Sequence, residues 1–266
     1  MSRTTIFVLC FVCASLLASC KQAAEEPAID RGIAWVRTAA EFEALALQAY
    51  GNATEDLDKM IADKSWSALP WQENAEDLPP AIIADVDETV VSNVEFQVIL
   101  EPPFKNAKLD AWNDANMAKP IPGAVDFYRK AQEAGVTVFF VTNRPCEPKN
   151  GMQDPCPQKS VTLQDLIEIG IDVTPETLML ANEEPEWDRE KVTRRQEVAK
   201  THRVIMLFGD DLGDFIQCSR EKALDPCDTG ATITSRSRDT YKFADYWGEG
   251  WYVFPNPMHG SWTTVE

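Results

Sequence analysis

Short apolar runs that end on polar groups set the rhythm of the chain. Ala81-Ile82-Ile83-Ala84, Val136 to Val141, Val204 to Phe208 and Trp251 to Phe254 are too brief and too rich in β-branched and aromatic residues for helices. They predict buried strands, and Leu178-Met179-Leu180 predicts a shorter one. Helical spacing fills the intervals. Pro122-Gly123 opens a helix reaching about Ala134, where Gly135 ends it. Further helices are expected over Ser160–Ile169 and Glu190–Lys200. Ahead of the first strand, Trp35, Ala39, Phe42, Leu45 and Leu47 predict a helix from Arg31 to about Tyr50, with a second near Glu55–Met60. Strands alternating with helices imply an α/β protein, a Rossmann-like parallel sheet with helices on both faces.

Residues 90–120 interrupt this alternation between the first and second strands. The segment carries Phe96, Phe104 and Trp112 among polar residues and predicts a small helical cap over the strand ends, where such sheets bind ligands. Residues 31–266 are therefore expected to form a single domain with N-terminal helices and a cap. The beginning of the chain carries sorting information instead. Arg3 precedes an apolar run, Ile6 to Leu17, that suits a secretory signal and is shorter than the roughly 20 residues needed to span a bilayer. Leu17-Ala18-Ser19-Cys20 resembles a bacterial lipobox. Residues 1–19 then read as a lipoprotein signal peptide, and residues 20–30 as a lipidated Cys20 and its tether. The expected location is outside the cytoplasm, on a membrane through the lipid anchor, with the bacterial outer membrane as the setting.

Composition narrows the choice of partner. With 44% hydrophobic and 9% aromatic residues the chain can bury a core, and a net charge of −18 disfavours a nucleic-acid partner. It does not exclude a small phosphorylated substrate, because a metal ion inverts the local field. Export leaves Cys146, Cys156, Cys218 and Cys227 as near-sequence pairs. In an oxidising compartment the natural disulfides are Cys146–Cys156 and Cys218–Cys227, although sequence alone leaves other connectivities open. A zinc site fits poorly, since neither pair has CxxC spacing and His202 and His259 are the only histidines.

Candidate chemistry sits at three strand ends. After the first stands Asp85-Val86-Asp87-Glu88-Thr89, where Asp85 can attack phosphorus and Asp87 can serve as general acid and base. After the second, Thr142-Asn143-Arg144 offers a hydroxyl and backbone N–H groups for phosphate oxygens. After the fourth, Asp210, Asp211 and Asp214 are hard oxygen ligands suited to Mg²⁺ beside Asp85. An Asp-x-Asp pair alone is weak; three such clusters in this order, each following an apolar strand, are not.

The order resembles the haloacid dehalogenase superfamily and, within it, the class C bacterial acid phosphatases. Asp85-Val86-Asp87-Glu88-Thr89-Val90 is similar to their first motif, and Val141-Thr142-Asn143-Arg144 to the second, with Thr where Ser is usual. Lys191 with Arg194-Arg195 is similar to the third. Gly209-Asp210-Asp211-Leu212-Gly213-Asp214-Phe215 is similar to the fourth, with Asp211 in place of a usual Asn. Pro255-Asn256-Pro257-Met258-His259-Gly260-Ser261-Trp262 resembles the C-terminal signature, with His259 in place of Tyr. The resemblance implies an acid phosphatase acting through an aspartyl phosphate on Asp85, with Asp87 as acid/base and Thr142 and Lys191 holding phosphate. It implies one Mg²⁺ held by Asp85, Asp210 and the carbonyl of Asp87, with Asn143, Asp211 and Asp214 in support. Small phosphomonoesters are the implied substrates. Nucleoside monophosphates are included if Phe96, Trp112 and His259 stack a base, and a homodimer stays open. The rivals are a metal-dependent glycosyltransferase, which has no need of Lys191, and a surface-binding lipoprotein on a phosphatase scaffold, which would have lost a catalytic carboxylate.

Overall fold

A computed structural model describes residues 30–266; the expected signal peptide and Cys20 lie outside the described residues. The chain opens with helices α1 (Arg31–Thr38) and α2 (Ala40–Ala62). The core strands are β1 (Pro80–Ala84), β4 (Thr137–Pro145), β5 (Leu178–Ala181), β6 (Arg203–Gly209) and β7 (Trp251–Val253). They form a five-stranded parallel sheet in the order β5-β4-β1-β6-β7. Helices α5 (Ala124–Glu133), α6 (Pro157–Glu168), α7 (Val192–Ala199) and α8 (Ile233–Lys242) connect them. This is the expected α/β architecture.

Alternation along the strands divides the interior. Ile82 and Ala84 of β1 join one cluster with Tyr50, Phe127, Tyr128 and Phe208, whereas Ala81 and Ile83 join another with Leu69, Val198 and Trp251. Both faces of the sheet are thus covered, which explains why the strands read as continuous apolar runs. From β1 the chain winds to β4 and β5 on one side, then returns to β6 and β7 on the other. The reversal falls between β1 and β6, and the crevice at such a switch point is where open α/β sheets place ligands.

The N-terminal helices differ from expectation. The break falls at Ala39, which is extended (φ −84°, ψ 122°), and α2 runs on through Gly51-Asn52 to Ala62. Phe42, Ala46, Tyr50, Ala53, Leu57 and Met60 form one buried stripe at helical spacing, and that packing outweighs the weak local propensity of Gly51. Arg203, fully buried at the start of β6, donates to the carbonyls of Met60, Ile61, Asp63 and Trp66 and so satisfies the helix C-terminus.

Between β1 and α5 the chain leaves the sheet. A ribbon of β2 (Val91–Ser92) and β3 (Lys119–Pro120) frames α3 (Val94–Ile99) and α4 (Asn106–Asp114). This excursion stands over the C-terminal end of β1, and its first strand bridges directly to Asp87.

Candidate active site

Asp85 and Asp210 are the first residues beyond the adjacent strands β1 and β6, so the sheet brings them side by side at the switch point. Lys191, the residue before α7, reaches in between: its Nζ lies 2.6 Å from Asp85 Oδ1 and 2.6 Å from Asp214 Oδ1. Asp214 closes a 3₁₀ turn over Leu212–Asp214, where its Oδ2 accepts the Asp211 N–H at 2.9 Å. Asp210 Oδ2 accepts from Asn256 Nδ2 at 2.7 Å, and the Thr89 hydroxyl donates to Oδ1 at 3.4 Å.

These groups are crowded with like charge. Burial, reinforced by Asp214 and Asp87, pushes Asp85 up to about 6 despite Lys191. Burial and the Asp85 and Asp214 carboxylates raise Asp210 well above the usual carboxylate range. Burial works against the charge on Lys191, but Asp214 and Asp85 outweigh it and raise its pKa. Asp85, Asp210 and Asp214 each offer an oxygen within 4.8 Å of the others. A compact, all-oxygen donor set in which burial and mutual repulsion keep two members hard to ionise fits a small hard dication such as Mg²⁺.

Asp87 is held differently. Its Oδ1 accepts from Arg144 Nη2 at 2.8 Å and from Asn93 Nδ2 at 2.8 Å, and its Oδ2 accepts from Arg144 Nε at 3.0 Å. Burial opposes ionisation, yet Arg144 and Asn93 outweigh it and hold the carboxyl below its ordinary range. Arg144 is itself buried and braced by Thr162 and Asp165 of α6, each at 3.1 Å.

The remaining expected residues fall around this centre. Ala84, the last residue of β1, pairs with Phe140, and β4 runs on past it to Thr142, whose Oγ1 accepts the Arg144 N–H at 3.1 Å. Asn143 turns to the α7 side, accepting from Arg194 Nη2 at 2.7 Å and donating to the Arg189 carbonyl at 3.2 Å. Asp211 accepts from Ser261 N and Oγ and from Gly213 N, which ties the C-terminal loop to the β6 loop. His259 Nε2 lies 3.3 Å from Glu88 Oε2, beside Asp87. Both disulfides, Cys146–Cys156 and Cys218–Cys227, are formed.

Phe96 and Trp112 do not offer the open faces expected for a base. They are 3% and 8% exposed, with ring centroids 5.9 Å apart, because the cap uses them as its own small core. Phe104, 52% exposed, is the aromatic that the cap leaves uncovered. Sequence reasoning missed Arg144, Asn93, Glu88 and Asn256. Arg144 lay within the quoted second motif, and Asn256 within the C-terminal signature; Asn93 had no pattern to mark it.

A parallel sheet whose switch point gathers aspartates from two strands around one lysine defines a haloacid-dehalogenase-like α/β protein of the phosphatase kind. The chain belongs to the HAD superfamily, subfamily IIIB (acid phosphatase), whose family model matches residues 18–262. It is similar to solved structures of the class C acid phosphatase from Bacillus anthracis. With the tungstate-bound form it shares 28% identity at a TM-score of 0.68, over 87% of this chain and 84% of that one. For a second structure of that enzyme the identity is 27%, at the same TM-score and coverage.

Proposed function

We propose that this acid phosphatase is Mg²⁺-dependent and hydrolyses small phosphomonoesters through an aspartyl phosphate on Asp85. The observation that carries this reading is Asp85 at the sheet's switch point, bonded to Lys191 and flanked by Asp210. Asp85, Asp210 and the Asp87 carbonyl would hold the ion, with Asp214 acting through Lys191. The ion supplies charge neutralisation for the phosphoryl group as it passes through the transition state. An Asp85 oxygen attacks phosphorus, the ester P–O bond breaks, and the leaving oxygen takes its electron pair and a proton from Asp87. Water then attacks the aspartyl phosphate and loses a proton to Asp87, releasing inorganic phosphate and the Asp85 carboxylate. Thr142 and Lys191 steady the phosphoryl oxygens. The tungstate bound by the B. anthracis enzyme is an oxyanion, in keeping with a site of this kind.

Nucleoside monophosphates are the substrates we favour within this class, with the His259 and Phe104 rings as the surfaces a base would meet. We also propose export and lipid attachment at Cys20. The Ile6–Leu17 run and two disulfides, which suit an oxidising compartment, support this.

The full chain should hydrolyse p-nitrophenyl phosphate with Mg²⁺ and lose the activity in a chelator. Asp85→Asn should lower kcat by about a thousandfold or more. Retained turnover in that variant removes Asp85 as nucleophile, and full turnover in excess chelator removes the metal.

A further inference from the structure

The cap reaches the proton-transfer carboxylate through one amide. Trp112 of α4 donates its indole N–H to Asn93 Oδ1 at 2.9 Å. Asn93 is buried, and its Nδ2 donates to Asp87 Oδ1 at 2.8 Å and lies 3.4 Å from Glu88 Oε2. Its backbone N–H donates to Glu88 Oε1 at 2.6 Å. An indole can only donate, so the amide oxygen must face Trp112, and the NH₂ group must then face the two carboxylates. Asp87 Oδ1 is thereby committed to Asn93 and Arg144, while Oδ2 accepts from Arg144 Nε alone. Oδ2 is the oxygen with capacity left to carry a proton to the leaving group.

We propose that Trp112 and Asn93 are positioning residues for proton transfer: the cap's indole N–H fixes the Asn93 amide, which fixes the orientation of Asp87. This rests on the assignment of Asp87 as general acid. Without the indole N–H the amide keeps its NH₂ group toward the carboxylates but loses the partner of its oxygen, so it is held from one side alone and its angle to Asp87 loosens. Trp112 therefore acts through its nitrogen, and the contact of its ring with Phe96 keeps α4 in place.

The test compares leaving groups. p-Nitrophenolate leaves with little protonation, whereas an alkoxide needs the proton in the transition state. For Trp112→Phe, kcat/KM on β-glycerophosphate should fall by about tenfold or more, and that on p-nitrophenyl phosphate by less than about twofold. Because kcat/KM reports steps up to phosphoryl transfer, the later use of Asp87 as a base does not mask the split. Phe96→Leu loosens the same contact but keeps the N–H, and should shift both substrates alike. Asn93→Ala breaks the link from the other side and gives the same readout should Trp112→Phe fail to fold. Equal losses on the two esters, or none, overturn the positioning role. Asp87→Asn tests the underlying assignment separately: it should cut kcat/KM on β-glycerophosphate far more than on p-nitrophenyl phosphate, and equal losses there would remove Asp87 as the acid, whatever Trp112→Phe shows.

Discussion

Gly209, at the junction of β6 with the acidic loop, has no room for a side chain. A Cβ there would lie 2.3 Å from both Cβ and Oδ2 of Asp214, the residue that caps the turn and pairs with Lys191. Gly209→Ala must therefore push Asp214 aside, and Lys191 loses one of its two anchors. We expect a cost of about 1–3 kcal/mol in urea unfolding, together with a drop in kcat/KM. Wild-type values for both would show that the turn has slack. Legibility at this scale followed chain position. Asp85 and Asp210 were readable because each directly ends an apolar strand. Arg144 and Asn256 were not, since their partners Asp87 and Asp210 lie 57 and 46 residues away. A guanidinium beside a threonine motif gives no sign of which carboxylate it will hold until the fold closes.

Elements were legible where burial is one-sided or complete. The strands β1, β4 and β6 stood out as apolar runs, whereas α8 carries no buried residue and so had no stripe to detect. The α1–α2 boundary depended on long-range packing that no local window contains. The loop between β4 and α6 shows how a connection can matter as much as the elements it joins. The Cys146–Cys156 disulfide closes it across a separation of 10 residues. Within that loop, Lys149 reaches Asp110 at 3.6 Å and Asp114 at 3.3 Å on cap helix α4. Replacing both cysteines with serine should lower the unfolding free energy by about 2–3 kcal/mol. Lys149→Ala should cost less than about 1 kcal/mol, because the ion pair is partly solvated. Chemical unfolding of the two variants checks this ordering. A Lys149→Ala cost matching the disulfide's would locate the stabilisation in the cap contact and not in loop closure.

For the whole molecule, the sheet order itself creates the electrostatic problem that the site must solve. Winding outward from β1 and returning at β6 forces Asp85, Asp210 and Asp214 into one crevice, with Lys191 as the cation between Asp85 and Asp214. In the metal-free chain Asp85 titrates at about 6, against 3.8 for an ordinary aspartate. Between those values the folded chain holds more protons than the unfolded one, so this group makes stability fall as pH rises from about 4 to 6. A dication that binds the ionised carboxylates acts in the opposite sense, and its effect grows over the same interval. Saturating Mg²⁺ at about a hundred times its Kd should therefore add about 2.7 kcal/mol to unfolding near neutral pH, and much less near pH 4. Asp210→Asn should abolish that increment, and it should leave the metal-free chain no less stable than the parent, since a carboxyl that burial and its neighbours make hard to ionise gives way to a neutral amide, whose oxygen can accept from Asn256 while its NH₂ donates to the Thr89 hydroxyl. Melting curves with and without Mg²⁺, at pH 4 and pH 7, decide the matter. If Mg²⁺ stabilises the parent and Asp210→Asn equally, the ion sits elsewhere and the switch-point carboxylates must be balanced by Lys191 alone.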